Sequence, residues 1–129
     1  MILLDTDALI EILQKDSQRG EQVLNLIEEH GDPATTALCL HELLYGLHKR
    51  GVDIPEILHN LRALPFTRTD SLLSAQLEHR AEQRGQTTHR IDSMNAAIAI
   101  NNSAKYLTFN TRHYQTYTLD GLELVEVRA

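Results

Sequence analysis

The chain opens with residues 1–7, MILLDTD, a short apolar run that gives way to polar residues at Asp5. Such a run is typical of a strand buried on both faces of a parallel sheet, because helices cover that strand from either side. Residues 8–13 then have the apolar spacing of a short helix. The opening therefore predicts a β-strand followed by a helix, with Asp5 near their junction.

The rest of the chain alternates in the same way, without internal repeats or linkers. Strands separated by helices indicate βαβ units. We therefore predict one α/β domain over residues 1–129, with a central parallel sheet of about five short strands and helices on both faces. The predicted elements are a helix capped by Asp16 or Ser17 and ended by Gly31, a strand at Pro33–Thr36, a helix at 37–49, a short helix from Pro55 to Leu61, a strand at 65–67, a helix capped by Asp70 and ended by Gly85, a helix at 91–101, and strands at 105–109 and 122–127.

Composition excludes several classes of protein. Of the 129 residues, 42% are hydrophobic, which supports a folded core and excludes wholesale disorder. No apolar run approaches the roughly 20 residues of a membrane helix, and the start of the chain lacks the features of a signal peptide. The lone cysteine, Cys39, cannot form an internal disulfide. We therefore expect a cytoplasmic protein that does not enter a membrane.

The charge balance bears on possible partners. The chain has 18 acidic and 12 basic residues, a formal net charge of −6. This balance argues against a protein that binds nucleic acid through its overall charge. It does not argue against an enzyme that holds cations in one acidic pocket, so the location of the acids decides the question.

Polar residues follow the predicted strands or begin the helices after them. In an open parallel sheet, ligands bind beyond the carboxyl ends of the strands, so residues from distant segments meet at that edge. Three carboxylates and one amide are predicted to lie there. They are Asp5, Glu42, Asp92 and Asn110.

Each of these residues alone also has a simpler interpretation. Asp5 and Asp92 are good helix caps, Asn110 suits a turn, and Glu42 suits an exposed helix surface. Gly46, one turn after Glu42, favours access or close packing on that face, because a glycine inside a helix costs about 1 kcal/mol relative to alanine. The four residues carry more information together than singly, because the predicted topology sends them to one edge.

Carboxylates gathered in one place raise one another's pKa because their negative charges repel, and a divalent cation removes that repulsion. Mg²⁺ and Mn²⁺ take oxygen ligands and commonly share them with substrate phosphates. The residues therefore predict a Mg²⁺ (or Mn²⁺) site that serves phosphoryl transfer or nuclease chemistry.

Four segments, in order, resemble the PIN-domain ribonucleases, and specifically the VapC-type toxins of bacterial and archaeal toxin–antitoxin pairs. The resemblance covers nearly the whole chain. The opening segment is weakly specific for this family and the Glu-Leu-Leu-x-Gly pattern is moderately specific for it. The last two segments together are highly specific for it. The segments are MILLDTDALIEIL at 1–13, TTALCLHELLYGL at 35–47, RIDSMNAAIAI at 90–100 and YLTFNTRHYQTY at 106–117.

The resemblance implies a catalytic set. Asp5, Glu42 and Asp92 match the family's three regular carboxylates, and the metal is expected on Asp5 and Asp92. Asn110 stands where many members have a fourth Asp, although many VapC-type toxins also have Asn there. With one carboxylate fewer, either one or two metal ions remain possible, and either Asp7 or Asn110 completes the metal's ligands.

Supporting residues are also implied. Thr6 and Thr108 are expected to orient the carboxylates or a metal-bound water, and Asp7 to lie beside them. Asn95 departs from the apolar residue usual at its position, so it either supports the site or faces a partner.

The resemblance further implies an activity and partners. The expected protein is a Mg²⁺-dependent endoribonuclease, the toxin of a VapBC-type pair, which cleaves tRNA or ribosomal RNA loops. It is expected to form a homodimer and to be silenced by a VapB-type antitoxin whose tail fills the acidic groove. A basic antitoxin side chain would satisfy the carboxylates in place of metal.

Basic residues flank the acidic ones and are candidates to position RNA phosphates. The strongest candidates are Arg112 and His113, directly after Asn110, and Arg90, together with its neighbours Arg84 and His89. Tyr114 and Tyr117 are predicted to be packing residues. Among the histidines, only His41 and His48 lie on one helical side, so no structural zinc site is predicted.

Other functions fit the residues less well. A phosphatase that uses Asp5 as nucleophile lacks the expected Gly-Thr after Asp7, because the chain reads Ala8-Leu9. A phosphoacceptor receiver domain needs a lysine at the end of the fifth strand, whereas Lys105 begins its strand. A PIN domain that only binds or regulates, and a PIN nuclease that is not a toxin, remain alternatives.

Overall fold

The sheet has the predicted architecture in the computed structural model, which describes residues 1–127. Its strands are β1 (Ile2–Leu4), β2 (Pro33–Thr36), β3 (Ala63–Leu64), β4 (Lys105–Leu107) and β5 (Glu123–Val125). All neighbouring strands are parallel, in the order β3-β2-β1-β4-β5. The prediction of a five-stranded parallel α/β sheet is confirmed.

Helices follow most of the strands, as right-handed crossovers between parallel strands require. Within residues 1–127 there are seven α-helices and one 3-10 helix. They are α1 (Thr6–Leu13), α2 (Gln18–His30), α3 (Ala37–Arg50), α4 (Glu56–Asn60), α5 (Arg68–Gln83), α6 (Arg90–Asn101), α7 (Thr111–Tyr114) and the 3-10 helix Gln115–Asp120.

Two apolar layers bury the sheet from either side. Successive residues of a strand point to opposite faces. Leu3 therefore packs with Leu77 of α5 and Ile98 of α6, whereas Leu4 on the other face packs with Val23 of α2. Burial on both faces explains why β1 is apolar throughout, as its sequence predicted.

Several local predictions differ from the structure. The strands predicted at 105–109 and 122–127 are shorter, at Lys105–Leu107 and Glu123–Val125. The third strand lies at Ala63–Leu64 and not at 65–67, because Pro65 has no N–H with which to continue the ladder. The cap of α5 is Thr67 and not Asp70. Thr67 Oγ1 accepts from Asp70 N at 3.2 Å while Asp70 Oδ2 accepts from Thr67 N at 2.9 Å, which is a capping box.

Helix α2 begins as expected. Ser17, one of the two predicted caps, accepts a 3.0 Å hydrogen bond from Gly20 N. Among the residues that the structure describes, no helix has both the length and the hydropathy to cross a bilayer.

Strand order creates a crevice at one edge of the sheet. β1 lies at the centre, with β2 on one side and β4 on the other. The crossover from β1 to β2 and the crossover from β3 to β4 therefore run in opposite directions across the sheet. Ligands bind at such a switch point, beyond the carboxyl ends of the strands. Asp5, Thr36 and Thr108, which follow or end these three strands, reach that edge.

Candidate functional site

Asp5 is the most heavily constrained carboxylate of the site. It is buried at the end of β1, where it is also the N-cap of α1. Its Oδ1 accepts from Thr6 N at 2.8 Å and from the thiol of Cys39 at 3.4 Å, and its Oδ2 accepts from Thr108 Oγ1 at 2.8 Å. A carboxylate offers about four acceptor positions, so three donors leave about one for a cation or a further donor.

Asp7 lies beside Asp5 and is partly buried. Its Oδ2 accepts from Phe109 N at 3.0 Å, whereas its Oδ1 is buried and has no hydrogen-bond partner among the described residues. Burial, and then the negative charge of Asp5, raise the pKa of Asp7 from 3.8 to about 6. The pair is therefore electrostatically strained in the absence of a cation.

Glu42 and Asp92 belong to the same electrostatic site. The pKa of Glu42, an exposed residue of α3, is raised first by partial desolvation of its carboxylate and then by the charges of Asp5 and Asp92. Burial raises the pKa of Asp92 in the first turn of α6. The bond from Tyr114 and the charge of His113 lower it, and Asp5 raises it. Asp5, Glu42 and Asp92 therefore lie near enough to interact electrostatically, and their joint role in a catalytic set stays a prediction.

One carboxylate oxygen of Asp92 is hydrogen-bonded, and the other has no hydrogen-bond partner among the described residues. Its Oδ1 accepts a 3.0 Å hydrogen bond from Tyr114 Oη. Its Oδ2 lies 3.3 Å from His113 Nδ1 without forming a hydrogen bond, and is buried without a partner among the described residues. The His113 ring in turn packs on His89, with ring centroids 4.8 Å apart. Asp92 therefore retains an oxygen that can accept a cation or a proton donor.

Tyr114 is the site residue whose role the sequence did not predict. It is buried in the core, as expected of a packing residue, yet its hydroxyl contacts Asp92. Asn95 Nδ2 donates to that hydroxyl at 3.5 Å, and Thr36 Oγ1 donates to Asn95 Oδ1 at 2.7 Å. Asn95 therefore supports Asp92 through Tyr114. The one available signal was a phenol in an apolar environment, since a buried hydroxyl needs a partner.

The two threonines expected to orient carboxylates differ in how they do so. Thr108 does so with its hydroxyl, as predicted. The hydroxyl of Thr6 donates instead to the carbonyl oxygen of Cys39 at 3.4 Å, and only the Thr6 backbone amide contacts Asp5. Thr6 therefore orients Asp5 through its backbone amide and not through its hydroxyl.

Asn110 and Arg112 lie at the rim of the site. Both line an open groove of about 580 Å³, together with His113 and the loop around Gln86. The backbone N–H of Asn110 donates to Thr108 Oγ1 at 3.0 Å, while its side chain is exposed. Arg112 makes no ion pair or hydrogen bond with another residue in the described part of the chain, so its guanidinium is available to a ligand.

Arg90 and Arg84 are engaged elsewhere. Arg90 Nη2 lies 3.1 Å from Glu78 Oε2 of α5, and Arg84 Nη2 lies 3.1 Å from Asp120 Oδ2. The structure therefore gives both arginines protein partners and does not join them to the carboxylates.

The donor set fits a hard divalent cation. The three carboxylates and the Asn110 amide supply oxygens, the ligands that Mg²⁺ and Mn²⁺ prefer, and Asp92 has an oxygen without a hydrogen-bond partner. In the observed side-chain positions, however, no three His, Cys, Asp or Glu residues within 1–127 are grouped closely enough to hold one ion. Binding through three carboxylates therefore requires at least one of them to change rotamer, and Glu42 is the exposed one.

Several solved structures have the same fold. VapBC2 from Rickettsia felis, bound to a DNA fragment from its promoter, is 22% identical with a TM-score of 0.77, and the match covers 99% of this chain and 100% of that one. FitAcB from Neisseria gonorrhoeae is 22% identical with a TM-score of 0.74 and coverages of 98% and 97%. VapC20 from Mycobacterium tuberculosis, a toxin that cleaves the sarcin-ricin loop, is 15% identical with a TM-score of 0.64 and full coverage of both chains.

Sequence comparison gives the family. A comparison with curated proteins yields no significant match. The PIN domain model, by contrast, matches residues 2–119, which include every carboxylate of the site. The chain therefore belongs to the PIN domain family.

Proposed function

We propose that the protein is a divalent-metal-dependent endoribonuclease and the toxin of a VapBC-type toxin–antitoxin pair. The observation that carries this proposal is the convergence of Asp5, Glu42 and Asp92, from three separate elements, at the carboxyl edge of a PIN fold. The VapC, VapBC and Fit proteins that share the fold support the toxin assignment.

Within this proposal, Asp5 and Asp92 hold Mg²⁺ (or Mn²⁺), Glu42 contributes a third carboxylate, and Asn110 or Asp7 completes the ligands. When bound, such a cation supplies Lewis acidity for a phosphodiester and activates water as a nucleophile.

The protein's own groups hold these carboxylates in position. The Thr6 amide and the Thr108 hydroxyl fix Asp5, and the Tyr114 hydroxyl fixes Asp92, so each carboxylate presents its remaining acceptor positions to the site. Fixed ligands lose less conformational freedom on binding. Asp5 and Asp92 are thus fixed before substrate arrives, whereas Glu42 changes rotamer to join them.

RNA would approach along the rim groove. Arg112 has a free guanidinium there, which suits bidentate contact with a backbone phosphate, and His113 lies between the groove and Asp92. An open groove admits an unpaired strand, so the proposed substrates are loops of tRNA or ribosomal RNA. A cytoplasmic location, where these RNAs occur, is part of the proposal.

An antitoxin of the VapB type is the proposed protein partner. The carboxylates offer a binding place for a basic side chain, which would exclude the metal. An apolar cleft of about 190 Å³ between α1, α2 and α4, lined by Leu9, Leu13 and Leu24 among others, suits the apolar face of a partner helix. Co-purification of the two proteins, lost in Leu24→Asp, would support this binding mode. A homodimer is also proposed, and light scattering on the purified chain tests it.

The deciding experiment is induction in bacterial cells with RNA 5′ ends mapped across the transcriptome. Wild type is expected to arrest growth and to create discrete new ends, whereas Asp5→Asn does neither. Asp53→Asn is the matched control, because Asp53 is exposed and has no polar partner among the described residues. Growth arrest by wild type and Asp5→Asn alike would reject the nuclease mechanism and favour a PIN domain that acts by binding.

A further inference from the structure

We propose that a buried chain of three side chains, Tyr114, Tyr106 and Cys39, couples Asp92 to Asp5, and that these are positioning residues for divalent metal binding. The inference rests on the proposed function, since it concerns the same site. It adds residues that lie beneath the carboxylates and that the resemblance to the PIN family did not assign.

The chain of contacts is continuous. Tyr114 Oη donates to Asp92 Oδ1 at 3.0 Å and lies 3.1 Å from Tyr106 Oη. Tyr106 Oη lies 3.8 Å from Cys39 Sγ, and Cys39 Sγ donates to Asp5 Oδ1 at 3.4 Å. Four contacts therefore join a carboxylate of α6 to the carboxylate that follows β1.

The whole path is sealed from water. Tyr106 is fully buried, and Tyr114 and Cys39 are each 1% exposed. The two tyrosine rings pack against each other with centroids 4.7 Å apart. In such surroundings a hydroxyl without a partner is costly, so the side chains are held to these contacts.

A count of protons gives the chain a direction. The two phenols and the thiol supply one proton each, whereas two ionised carboxylates only accept. Three protons serve at most three of the four contacts. The contact left without one is the 3.8 Å contact of Tyr106 with Cys39, which is therefore a packing contact and not a hydrogen bond. Tyr106 then donates to Tyr114, Tyr114 to Asp92, and Cys39 to Asp5.

The donated hydrogen bonds fix the orientation of both carboxylates. The protons of Tyr114 and Cys39 point at a carboxylate oxygen, so each holds that oxygen in place from inside the protein. The donors reach Oδ1 of both Asp5 and Asp92 from inside the protein, which turns the other oxygens toward Thr108 and His113. The spacing of the two carboxylates is thus set by a rigid aromatic pair and not by exposed side chains.

The test measures metal binding itself, with Mn²⁺ alone as the probe. Free Mn²⁺ is followed by electron paramagnetic resonance on the purified full chain, in wild type, Tyr114→Phe and Tyr117→Phe. Tyr117 is the matched control, because it is a buried tyrosine of the same core whose hydroxyl bonds to no other described residue. Tyr114→Phe is expected to weaken Mn²⁺ binding at least tenfold, as loss of a group that supports a metal ligand commonly does. Tyr117→Phe is expected to leave it unchanged.

A double-mutant cycle tests whether Tyr106 acts on Asp92 through Tyr114. Tyr106 touches neither carboxylate, so a purely local account predicts no effect of Tyr106→Phe on Mn²⁺ affinity. We expect a loss of about threefold in the wild-type background and little further loss in the Tyr114→Phe background, because groups in one network are not additive. Thermal unfolding without metal checks that each variant is folded. If Tyr114→Phe does not fold, the Mn²⁺ affinity of Tyr106→Phe tests the inference.

The outcomes separate this inference from the proposed function. If wild type binds Mn²⁺ and cleaves RNA while Tyr114→Phe and Tyr106→Phe bind as wild type does, the coupling is rejected and the nuclease stands. If Tyr114→Phe weakens Mn²⁺ binding but wild type cleaves no RNA, the coupling stands and the nuclease is rejected. A wild type that does not bind Mn²⁺ rejects both.

Discussion

Thr108 Oγ1 donates a 2.8 Å hydrogen bond to Asp5 Oδ2, although 103 positions separate the two residues in the sequence. The pairing of β1 with β4 brings them together, since Leu4 lies opposite Leu107 in the parallel register. Each residue is the first after its strand. The topology of the sheet therefore places a hydroxyl donor beside the carboxylate that is proposed to hold the metal.

Replacement of Thr108 tests this contact. Thr108→Val keeps the shape but removes the hydroxyl, which serves a charged carboxylate and also accepts from Asn110 N. We expect a loss of about 1–3 kcal/mol in the free energy of unfolding and at least a tenfold slower RNA cleavage. Urea denaturation and a single-turnover cleavage assay measure the two effects. Thr108→Ser should restore most of both, and equal loss in the Val and Ser variants would contradict the role of the hydroxyl.

Much of this relationship was predictable from the sequence. Short apolar runs that end in polar residues predicted β1 and β4, and parallel pairing then sends Asp5 and the end of β4 to one edge. The strand predicted at 105–109 ends at Leu107, so Thr108 follows the strand and does not lie within it. The third strand was misplaced because two residues carry too little pattern to locate, and Pro65 drew the prediction past the strand's real end.

Asp7 should make the stability of the metal-free protein depend on pH. Its pKa is raised from 3.8 to about 6, so the folded chain binds a proton more tightly than the unfolded chain. Stability from this group is thus greatest below pH 4 and falls as pH rises from about 4 to 6. We expect Asp7→Asn to gain on wild type by on the order of 1–2 kcal/mol over that interval, a figure reduced for solvent screening.

The comparison is made by urea denaturation in chelator at several pH values. Asp53→Asn serves as the control, since it replaces an exposed carboxylate. A difference between Asp7→Asn and wild type that stays constant from pH 4 to pH 7 would contradict the raised pKa.

Divalent metal should stabilise the folded protein at neutral pH. Ligands that bind only the native state raise the melting temperature, and here a cation also relieves the repulsion among Asp5, Asp7 and Glu42. We expect saturating Mg²⁺ to raise Tm by on the order of 5 °C over NaCl of equal ionic strength. Differential scanning calorimetry should show the gain retained in Asp53→Asn and lost in Asp5→Asn. An equal gain in both variants would place the metal elsewhere.

The role of Tyr114 could not be predicted from the sequence. Its position on an apolar helix face predicts burial, and the pattern does not say which neighbour its hydroxyl meets. That neighbour, Asp92, is supplied by α6, and the contact depends on how α6 and α7 pack together. The sequence likewise predicts only that Cys39 is a small buried residue, and its thiol nevertheless donates to Asp5. Carboxylates at strand ends follow from topology, whereas the hydrogen bonds beneath them follow from packing.

Arg112 should govern RNA binding more than the chemical step. Its guanidinium is free among the described residues and lines the rim groove, so Arg112→Ala is expected to raise KM for RNA about five- to tenfold with a smaller change in kcat. The salt dependence of binding should also become shallower, because one phosphate contact is lost. Arg62→Ala is the control, since Arg62 precedes β3 at the amino ends of the strands and pairs there with Asp32. A fall in kcat alone would contradict a role in binding.

The central claim is that three carboxylates of this PIN domain hold a metal that cleaves RNA. The most direct measurement is cleavage of total bacterial RNA by the purified chain, freed of any antitoxin, with and without Mg²⁺ or Mn²⁺. Wild type and Asp53→Asn should give discrete fragments only with metal, and EDTA, Asp5→Asn or Asp92→Asn should abolish them. Absence of cleavage by wild type with either metal, or equal cleavage by Asp92→Asn, would contradict the account.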